Sequence, residues 1–313
     1  MRTAIAGLDL RRASSLDDAL AILRDDQRTP IAGATDLYVA FNFGTLGPRR
    51  FLDIWALDEL RAISMRDDML VIGALATYTS LMRSLLVAEH APMLAQASGL
   101  VGGVQIQNRG TLGGNVANAS PAGDSLPVLA ALDAVIVLRS AGNERRVGIN
   151  EFYTGYRATV MRPDELITAV EITPVEGKQW FRKVGTRAAQ AISKIVMAGV
   201  RSSAPRIAFG SVAPTVIRVP RTERALVGGA TIDDAMAILM REIKPIDDIR
   251  STAEYRLRVS GNLLRRFWAD TGGGFDPHCA AQPASRHPRG CLRCVSPHRG
   301  RADRAGRQLE RRG

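Results

Sequence analysis

The stretch from Gln105 to Ser125, QIQNRGTLGGNVANASPAGDS, offers few apolar anchors and carries glycine at positions 110, 113, 114 and 123. Glycine permits positive φ and lets another group approach the backbone closely. Successive backbone N–H groups in such turns form concave anion-binding sites. The stretch therefore predicts a segment whose main chain lies directly against a ligand or another part of the chain.

A shorter loop of the same kind lies earlier, where Ile31 and Ala32 lead into the sequence Gly33-Ala-Thr-Asp36. In chain order this is the first glycine loop, and Thr111-Leu-Gly-Gly-Asn115, within the longer stretch, is the second. The hydroxyls of Thr35, Thr111 and Ser120 add hydrogen-bond donors to the two loops. Either loop alone is equally well explained as a tight turn. Two such loops, each beside an apolar run, favour a phosphate-bearing ligand, and the chemistry of the residues leaves its identity open.

Helix and strand patterns alternate along the chain, and its 313 residues, 46% of them hydrophobic, are enough for two domains. A capping pattern at Ser15 begins the first helix. In the first half, strands are predicted over residues 51–54, 69–72 and 134–138. Helices are predicted over 79–88 and 126–132, the latter capped by Asp124 or Ser125. From Lys178, strands at 180–183, 195–200 and 206–212 precede helices at 231–243 and 252–268, which predicts an α+β module over about 178–270.

Several functional classes are excluded by what the body of the chain, before residue 275, lacks. The longest apolar run, Leu126 to Leu138, is short and carries Asp133, so no membrane span is predicted. No signal-peptide pattern is present, and we expect a soluble cytoplasmic protein. Neither GxGxxG nor GxxxxGK[ST] occurs. The body contains no cysteine and one histidine, His90, so redox chemistry would need an organic cofactor, with no metal site and no catalytic side chain.

The last segment, residues 275–313, differs in composition from everything before it. It holds all three cysteines and three of the four histidines, and nine arginines against three acidic residues give it a net charge of +6. A zinc site around Cys291-x-x-Cys294 and a basic arm for nucleic acid are two interpretations. The third, which we favour, is a disordered tail, as a frameshifted or read-through end would give. The residues before 275 then have a net charge near +5, and this charge predicts no nucleic-acid partner.

The motifs IAGATDL and NRGTLGGNVANASPAGDSLPVLAALDA, with YRLRVSGNLLRRF near residue 260, resemble the FAD-binding medium subunit of the xanthine dehydrogenase and carbon monoxide dehydrogenase family of molybdenum hydroxylases. The likeness covers residues 1 to 270. It implies an α+β fold in which a vanillyl-alcohol-oxidase-type FAD-binding domain, residues 1–177, precedes a smaller α+β C-terminal domain, residues 178–270. Residues 271–313 remain as the tail.

The resemblance also implies which residues contact FAD, with the diphosphate lying against the glycines. These are Pro30, Ile31, Ala32, Gly33, Ala34, Thr35, Asp36, Leu37, Val101, Thr111, Leu112, Gly113, Gly114, Asn115, Asp124, Ile167 and Lys183. Alternatives remain for the single positions: Asp124 as a helix cap, Val101 and Ile167 as core, and Lys183 as a solvated side chain. Many relatives have glycine where Ala34 stands, so we expect that this position does not strictly need the φ range of glycine.

The implied function is a step in an electron relay. Substrate is oxidised at a molybdopterin-binding large subunit, electrons pass through 2Fe-2S clusters on a small subunit, and the FAD of this chain delivers them to an external electron acceptor. A cation near the flavin, for which Lys183 is the candidate, would favour the reduced anionic ring. A self-contained flavin oxidase, a nonredox binder of a phosphate ligand and a nucleic-acid module are the alternatives. The substrate and the final acceptor stay open.

Overall fold

The computed structural model describes residues 7–47 and 49–272. The tail at 275–313, with its three interpretations, lies outside the described residues. The strands of the first half are β1 (Asp9–Arg12), β2 (Thr29–Ile31), β3 (Arg50–Asp53), β4 (Ile63–Arg66), β5 (Met69–Gly73), β6 (Val135–Ser140), β7 (Asn143–Gly148), β8 (Tyr153–Gly155), β9 (Ala158–Thr159) and β10 (Leu166–Ile172). Those of the second half are β11 (Lys178–Val184), β12 (Ile195–Arg201), β13 (Arg206–Gly210) and β14 (Ile217–Arg218).

Helices connect these strands and cover them. In the first half they are α1 (Leu16–Asp25), α2 (Leu37–Phe43), α3 (Tyr78–Arg83), α4 (Leu85–His90), α5 (Pro92–Gly99), α6 (Val104–Arg109), α7 (Leu112–Asn118), α8 (Leu126–Ala131) and α9 (Ile149–Phe152). In the second half they are α10 (Pro220–Val227), α11 (Ile232–Glu242) and α12 (Ala253–Thr271). No helix within the described ranges is long and apolar enough to cross a membrane.

A small parallel sheet with strand order β1-β3-β2 begins the fold. The helix α1 crosses between β1 and β2, and its cap is the predicted one, because the Ser15 hydroxyl accepts a hydrogen bond from the Asp18 amide at 3.1 Å. Leu20 and Leu23 of α1 pack with Leu52 of β3 in a core of their own. The first glycine loop leaves this sheet at the end of β2 and leads into α2.

The largest core lies on a five-stranded antiparallel sheet with strand order β4-β5-β10-β6-β7. Side chains of α3, α5, α7 and α8 pack against it, and Leu112, Val116 and Leu129 are fully buried there. The glycine-rich stretch is therefore less open than its sequence indicates. Part of it forms the helix α7, whose apolar face lies in the core.

The second half is an antiparallel sheet, β11-β12-β13-β14, followed by α10, α11 and α12. Met197, Phe209 and Phe267 lie in a core between this sheet and the helices. Val196 and Ala198, on β12, instead belong to the core of the first half. The predicted order of strands followed by helices is observed, and the second half shares buried surface with the first.

Two local predictions were wrong. The single helix predicted over residues 79–88 is two helices, because Ser84 takes an extended conformation and caps α4 through its hydroxyl. The helix α8 has no side-chain cap at its beginning, since the Ser125 hydroxyl donates to the Asn115 Oδ1 at 2.6 Å instead. A distant partner for a serine is not visible in the local pattern that predicted a cap.

Candidate functional site

The two glycine loops line one cavity of about 780 Å³. This volume is within the range of small-molecule sites in proteins. Twelve of the predicted site residues line it: Pro30, Ala32, Gly33, Ala34, Thr35, Asp36, Leu37, Thr111, Gly113, Gly114, Asn115 and Ile167. The tertiary structure thus brings together two segments separated by more than seventy residues of sequence.

The first loop presents main-chain donors that no other described group uses. The amides of Gly33, Ala34, Thr35 and Asp36 donate no hydrogen bond within the described residues. Ala34 lies in the left-handed region, with φ of 61°. Such a conformation turns successive N–H groups toward one side, which is the geometry of a main-chain anion site. The expectation that position 34 does not need the φ range of glycine was wrong, because alanine adopts that range here.

The second loop differs, because its main-chain donors are already used. All four amides at the beginning of α7 donate within the protein: Leu112 to the Ala76 carbonyl (3.0 Å), Gly113 to the Ala74 carbonyl (2.9 Å), Gly114 to the Thr111 hydroxyl (3.1 Å) and Asn115 to the Thr111 carbonyl (3.0 Å). A cradle of free amides in this loop, as its sequence predicted, is therefore absent. Its contribution to the cavity is the exposed backbone at Gly114 and the half-buried Asn115.

The two adjacent glycines of the second loop, Gly113 and Gly114, are explained by different physical causes. A β-carbon on Gly113 would lie 2.7 Å from the Ala74 Cβ and 2.8 Å from its carbonyl oxygen, so this glycine lets α7 dock on the chain after β5. A β-carbon on Gly114 would meet the Thr111 Oγ1 alone, at 2.8 Å. The stretch was predicted to lie against a ligand or another part of the chain, and both occur. Gly113 packs against another part of the chain, and Gly114 leaves its backbone exposed to the cavity.

Three of the predicted single positions meet beside the loops, outside the lining of the cavity. The Lys183 Nζ, on β11, lies 2.6 Å from the Asp124 Oδ2 and donates to the Leu100 carbonyl, next to Val101, at 2.9 Å. The Lys183 and Asp124 side chains are only 6% and 8% exposed. The solvated alternative for Lys183 and the cap alternative for Asp124 are both wrong, since the two form a buried ion pair.

The carboxylate of Asp124 has an unusual environment. Burial raises the pKa of Asp124 to about 6, against the opposing effect of the Lys183 ammonium. Its Oδ1 is buried and accepts no hydrogen bond within the described residues. The hydroxyl of the neighbouring Ser193 donates to the Ala122 carbonyl at 3.0 Å. A buried acceptor without a partner is costly, so the Asp124 carboxylate is an energetically unfavourable feature of the flavin-free protein.

The remaining predicted residues divide between cavity and core. Ile167, on β10, lines the cavity and is at the same time a buried member of the main core, as its core alternative held. Leu112 is fully buried in the main core, and its side chain does not reach the cavity. Ile31 pairs with Asp53 in the parallel sheet and is likewise absent from the lining. These two positions support the loops without facing a ligand through their side chains.

The structure adds cavity residues that sequence reasoning missed, and one of them is the buried aromatic residue Tyr78, at 3% exposure. Asn118, Met161 and Arg162 also line the cavity. Tyr78 follows Thr77, whose hydroxyl caps α3 directly after the end of β5. A capped helix beginning at the end of a buried strand was the one sequence signal available for it.

Some of the charged side chains around the cavity form ion pairs. Arg28 binds Asp9 and Asp26, each at 2.7 Å. Burial raises the pKa of Asp36, opposed by Arg157 and by a hydrogen bond from Asn118. Within residues 7–47 and 49–272, no group of three or more His, Cys, Asp or Glu side chains is placed to hold a metal ion. The site therefore offers main-chain donors, hydroxyls and amides, which suit an organic ligand with a phosphate group.

Comparisons with known proteins agree with this geometry. Residues 6–175 match the family described as the FAD binding domain in molybdopterin dehydrogenase. Residues 180–271 match the CO dehydrogenase flavoprotein C-terminal domain. The two matches together span nearly all of the described residues, and they confirm the predicted order of a flavin domain followed by a smaller domain.

Individual relatives resemble the chain along most of their length. The glyceraldehyde dehydrogenase medium chain of Sulfolobus acidocaldarius is 32% identical over 79% of this chain and 92% of its own. The carbon monoxide dehydrogenase medium chain of Afipia carboxidovorans is 31% identical over 82% of this chain and 94% of its own. The structure of carbon monoxide dehydrogenase from Hydrogenophaga pseudoflava superimposes with a TM-score of 0.78 at 26% identity, over 83% of this chain and 95% of that one. The α+β fold class is confirmed by these matches.

Proposed function

Since the chain belongs to the family of FAD-binding subunits of the molybdenum hydroxylases, we propose that it receives electrons from iron–sulfur clusters on a small partner subunit and passes them to an external acceptor. A molybdopterin-binding large subunit, where the substrate is oxidised, completes the proposed complex. The medium chains and the enzyme structure among its relatives support this assembly. A cytoplasmic location is part of the same proposal, and cell fractionation tests it.

The observation that carries the proposal is the set of free amides at Gly33, Ala34, Thr35 and Asp36 on the wall of the cavity. A diphosphate is an anion that such a loop binds without any basic side chain, because several main-chain dipoles point at it together. The exposed backbone of Gly114 on the facing loop leaves room for close approach. These features fit the diphosphate of FAD, and we assign that part of the cofactor to the first loop.

The opposite end of the cofactor, the isoalloxazine ring, is assigned to the side of the cavity where Ile167 lies and toward the pair of Asp124 and Lys183. Asp124 supplies a carboxylate on this side, and its buried Oδ1 accepts no hydrogen bond within the described residues. Lys183 neutralises that carboxylate, so the pair presents a dipole to the ring where the sequence had led us to expect a lone cation. The electronic effect of Lys183 on the ring is accordingly smaller than an unpaired ammonium would give.

Bound FAD would supply the chemistry, because a flavin accepts electrons singly and releases them as a pair. The residues of this chain bind and orient it. The amides of the first loop would bind the diphosphate. The fully buried core under α7 fixes the second loop, and the ion pair of Asp124 with Lys183 joins the first half of the chain to β11 of the second half. Residues of both halves thus contribute to the proposed site of a single cofactor.

The test begins with the purified chain, whose visible absorption and FAD content report the cofactor. We expect about one FAD per chain. The oxidised protein is then mixed anaerobically with a small subunit whose iron–sulfur clusters have been reduced by dithionite and desalted. Loss of flavin absorption in the mixture, and none with an oxidised small subunit, would support the electron path.

The alternatives give different outcomes. A self-contained oxidase would lose its flavin absorption when a purine, aldehyde or aromatic substrate is added to the isolated chain. A nonredox binder of a phosphate ligand would be colourless and would not retain added FAD. If the chain retains FAD but reduced clusters do not decrease the flavin absorption, the proposed electron path is contradicted and the cofactor assignment still holds.

A further inference from the structure

Tyr78 places a phenol in the wall of the cavity. Its ring is 3% exposed and lines the cavity beside the two loops. Its hydroxyl makes no hydrogen bond within the described residues. This hydroxyl is also not fully enclosed, since it is absent from the fully buried polar atoms that lack a partner. Buried tyrosine hydroxyls usually find a partner. The free hydroxyl of Tyr78 is therefore available to a ligand in the cavity.

The position of Tyr78 is fixed from several directions. Its amide donates to the Gly110 carbonyl at 3.3 Å, and Thr77 forms an antiparallel bridge with Thr111. A β-carbon on Gly110 would lie 2.8 Å from the Tyr78 ring, so this glycine leaves the space that the ring needs. The second loop thus holds the phenol in place before any ligand arrives, which lowers the entropic cost of a contact with it.

Tyr78 also lies within electrostatic reach of both ends of the proposed site. Burial raises the pKa of Tyr78, and the carboxylates of Asp36 and Asp124 raise it further. Asp36 belongs to the loop assigned to the diphosphate, and Asp124 to the side assigned to the ring. The phenol therefore stays protonated and acts as a hydrogen-bond donor between these two points.

Resting on the assignment of FAD to this cavity, we propose that the Tyr78 hydroxyl donates a hydrogen bond to the ribityl chain, the segment of FAD between its diphosphate and its ring. A ligand that touches the amides of Gly33 to Asp36 and extends toward Asp124 passes Tyr78. The ribityl hydroxyls supply acceptors there. Tyr78 is then a specificity-determining residue, because ADP shares the diphosphate with FAD and lacks the ribityl chain.

The experiment compares the binding of FAD and of ADP to the flavin-free protein by isothermal titration calorimetry. In Tyr78→Phe, which keeps the ring against Gly110, we expect FAD affinity to fall about three- to tenfold, the range of one neutral hydrogen bond. ADP affinity is expected to be unchanged. The matched control is Tyr153→Phe, because the half-buried Tyr153 donates to the Val116 carbonyl at 3.2 Å and does not line the cavity. Its ratio of FAD to ADP affinity should equal that of the wild type.

Each other outcome overturns a definite part of the proposal. Unchanged FAD affinity in Tyr78→Phe, with the wild type binding FAD, contradicts the contact. Equal weakening of FAD and ADP moves the contact to the diphosphate and contradicts the ribityl placement. A wild type that binds ADP and not FAD overturns the cofactor assignment itself. Thermal melting of each flavin-free variant identifies a general loss of folding, which would lower both affinities together with the melting temperature.

Discussion

Gly33 lies against the Arg109 carbonyl so closely that a β-carbon on Gly33 would be 1.7 Å from the carbonyl oxygen. The guanidinium of Arg109 in turn stacks on Trp55, with its central carbon 3.8 Å from the ring centroid. The first glycine loop is therefore packed directly on the main chain at Arg109, just before the second loop begins. Glycine at position 33 is required by contact between the two loops before any cofactor is considered.

Replacing Gly33 with alanine should separate the loops. We expect a loss of about 1–3 kcal/mol in the free energy of unfolding, the usual cost of overpacking, together with loss of bound FAD. Urea unfolding and flavin content measure the two effects. Gly142→Ala is the matched control, since nothing lies within 4 Å of a β-carbon there. Equal stability and flavin content in the two variants would contradict the packing of the loops.

Ala34 predicts a substitution that stabilises the protein. Its φ of 61° is one that residues with a β-carbon adopt at a cost of about 1–2 kcal/mol, and glycine adopts it freely. Ala34→Gly should therefore raise the free energy of unfolding, by less than this cost because glycine also gains entropy in the unfolded chain. FAD binding should be retained. Ala141→Gly, at an exposed position without positive φ, should lower stability slightly, and a similar loss at Ala34 would show that no strain exists there.

The pKa of Asp124 predicts a pH dependence of stability in the flavin-free protein. Its folded value of about 6 is above the ordinary value of 3.8, so folding takes up a proton between these two values. The contribution of Asp124 to the free energy of unfolding therefore falls as pH rises from about 4 to about 6. Asp124→Asn removes this contribution. The free energy of unfolding of the variant, relative to that of the wild type, should therefore rise between pH of about 4 and about 6, as measured by urea unfolding at each pH.

Glu165 supplies a control of opposite sign. Burial alone would raise its pKa, but the hydrogen bonds from the Arg145 side chain and the Arg162 amide lower it overall. Its contribution is present above the ordinary value of 4.5 and is lost as pH falls through the lowered pKa. Glu165→Gln should therefore have a lower free energy of unfolding than the wild type above this pH, and the difference should disappear at acidic pH. A flat difference for Asp124→Asn would contradict the environment assigned to that carboxylate.

Removal of residues 275–313 should leave the cofactor site intact. The described cores and all of the cavity lining lie within residues 13–267, and the second family match ends at residue 271. A chain ending at Gly274 is expected to keep the melting temperature and the flavin content of the full chain. A large decrease in either quantity would show that the tail supports the fold.

Much of the local structure could be read from the sequence, because its causes are local. The helices predicted to begin at Ser15, Thr231 and Thr252 are observed, since at each of these positions the hydroxyl accepts from an amide three residues later. The strands of the second half follow from runs of apolar residues. Ser84 and Ser125 were misjudged because the same residue type caps a helix in one context and binds a distant partner in another.

The sequence by itself determined the family, the cofactor and the two loops, because those motifs are specific and their glycines limit what the backbone can do. Only the tertiary structure decided which loop has free amides, since two donors of the second, Leu112 and Gly113, are used by the carbonyls of Ala76 and Ala74, more than thirty residues earlier. The pairing of Lys183 with Asp124 and the placement of Tyr78 were decided in the same way. Hydrogen-bond satisfaction and steric contact between distant segments depend on their arrangement in space, and no local pattern of residues records them.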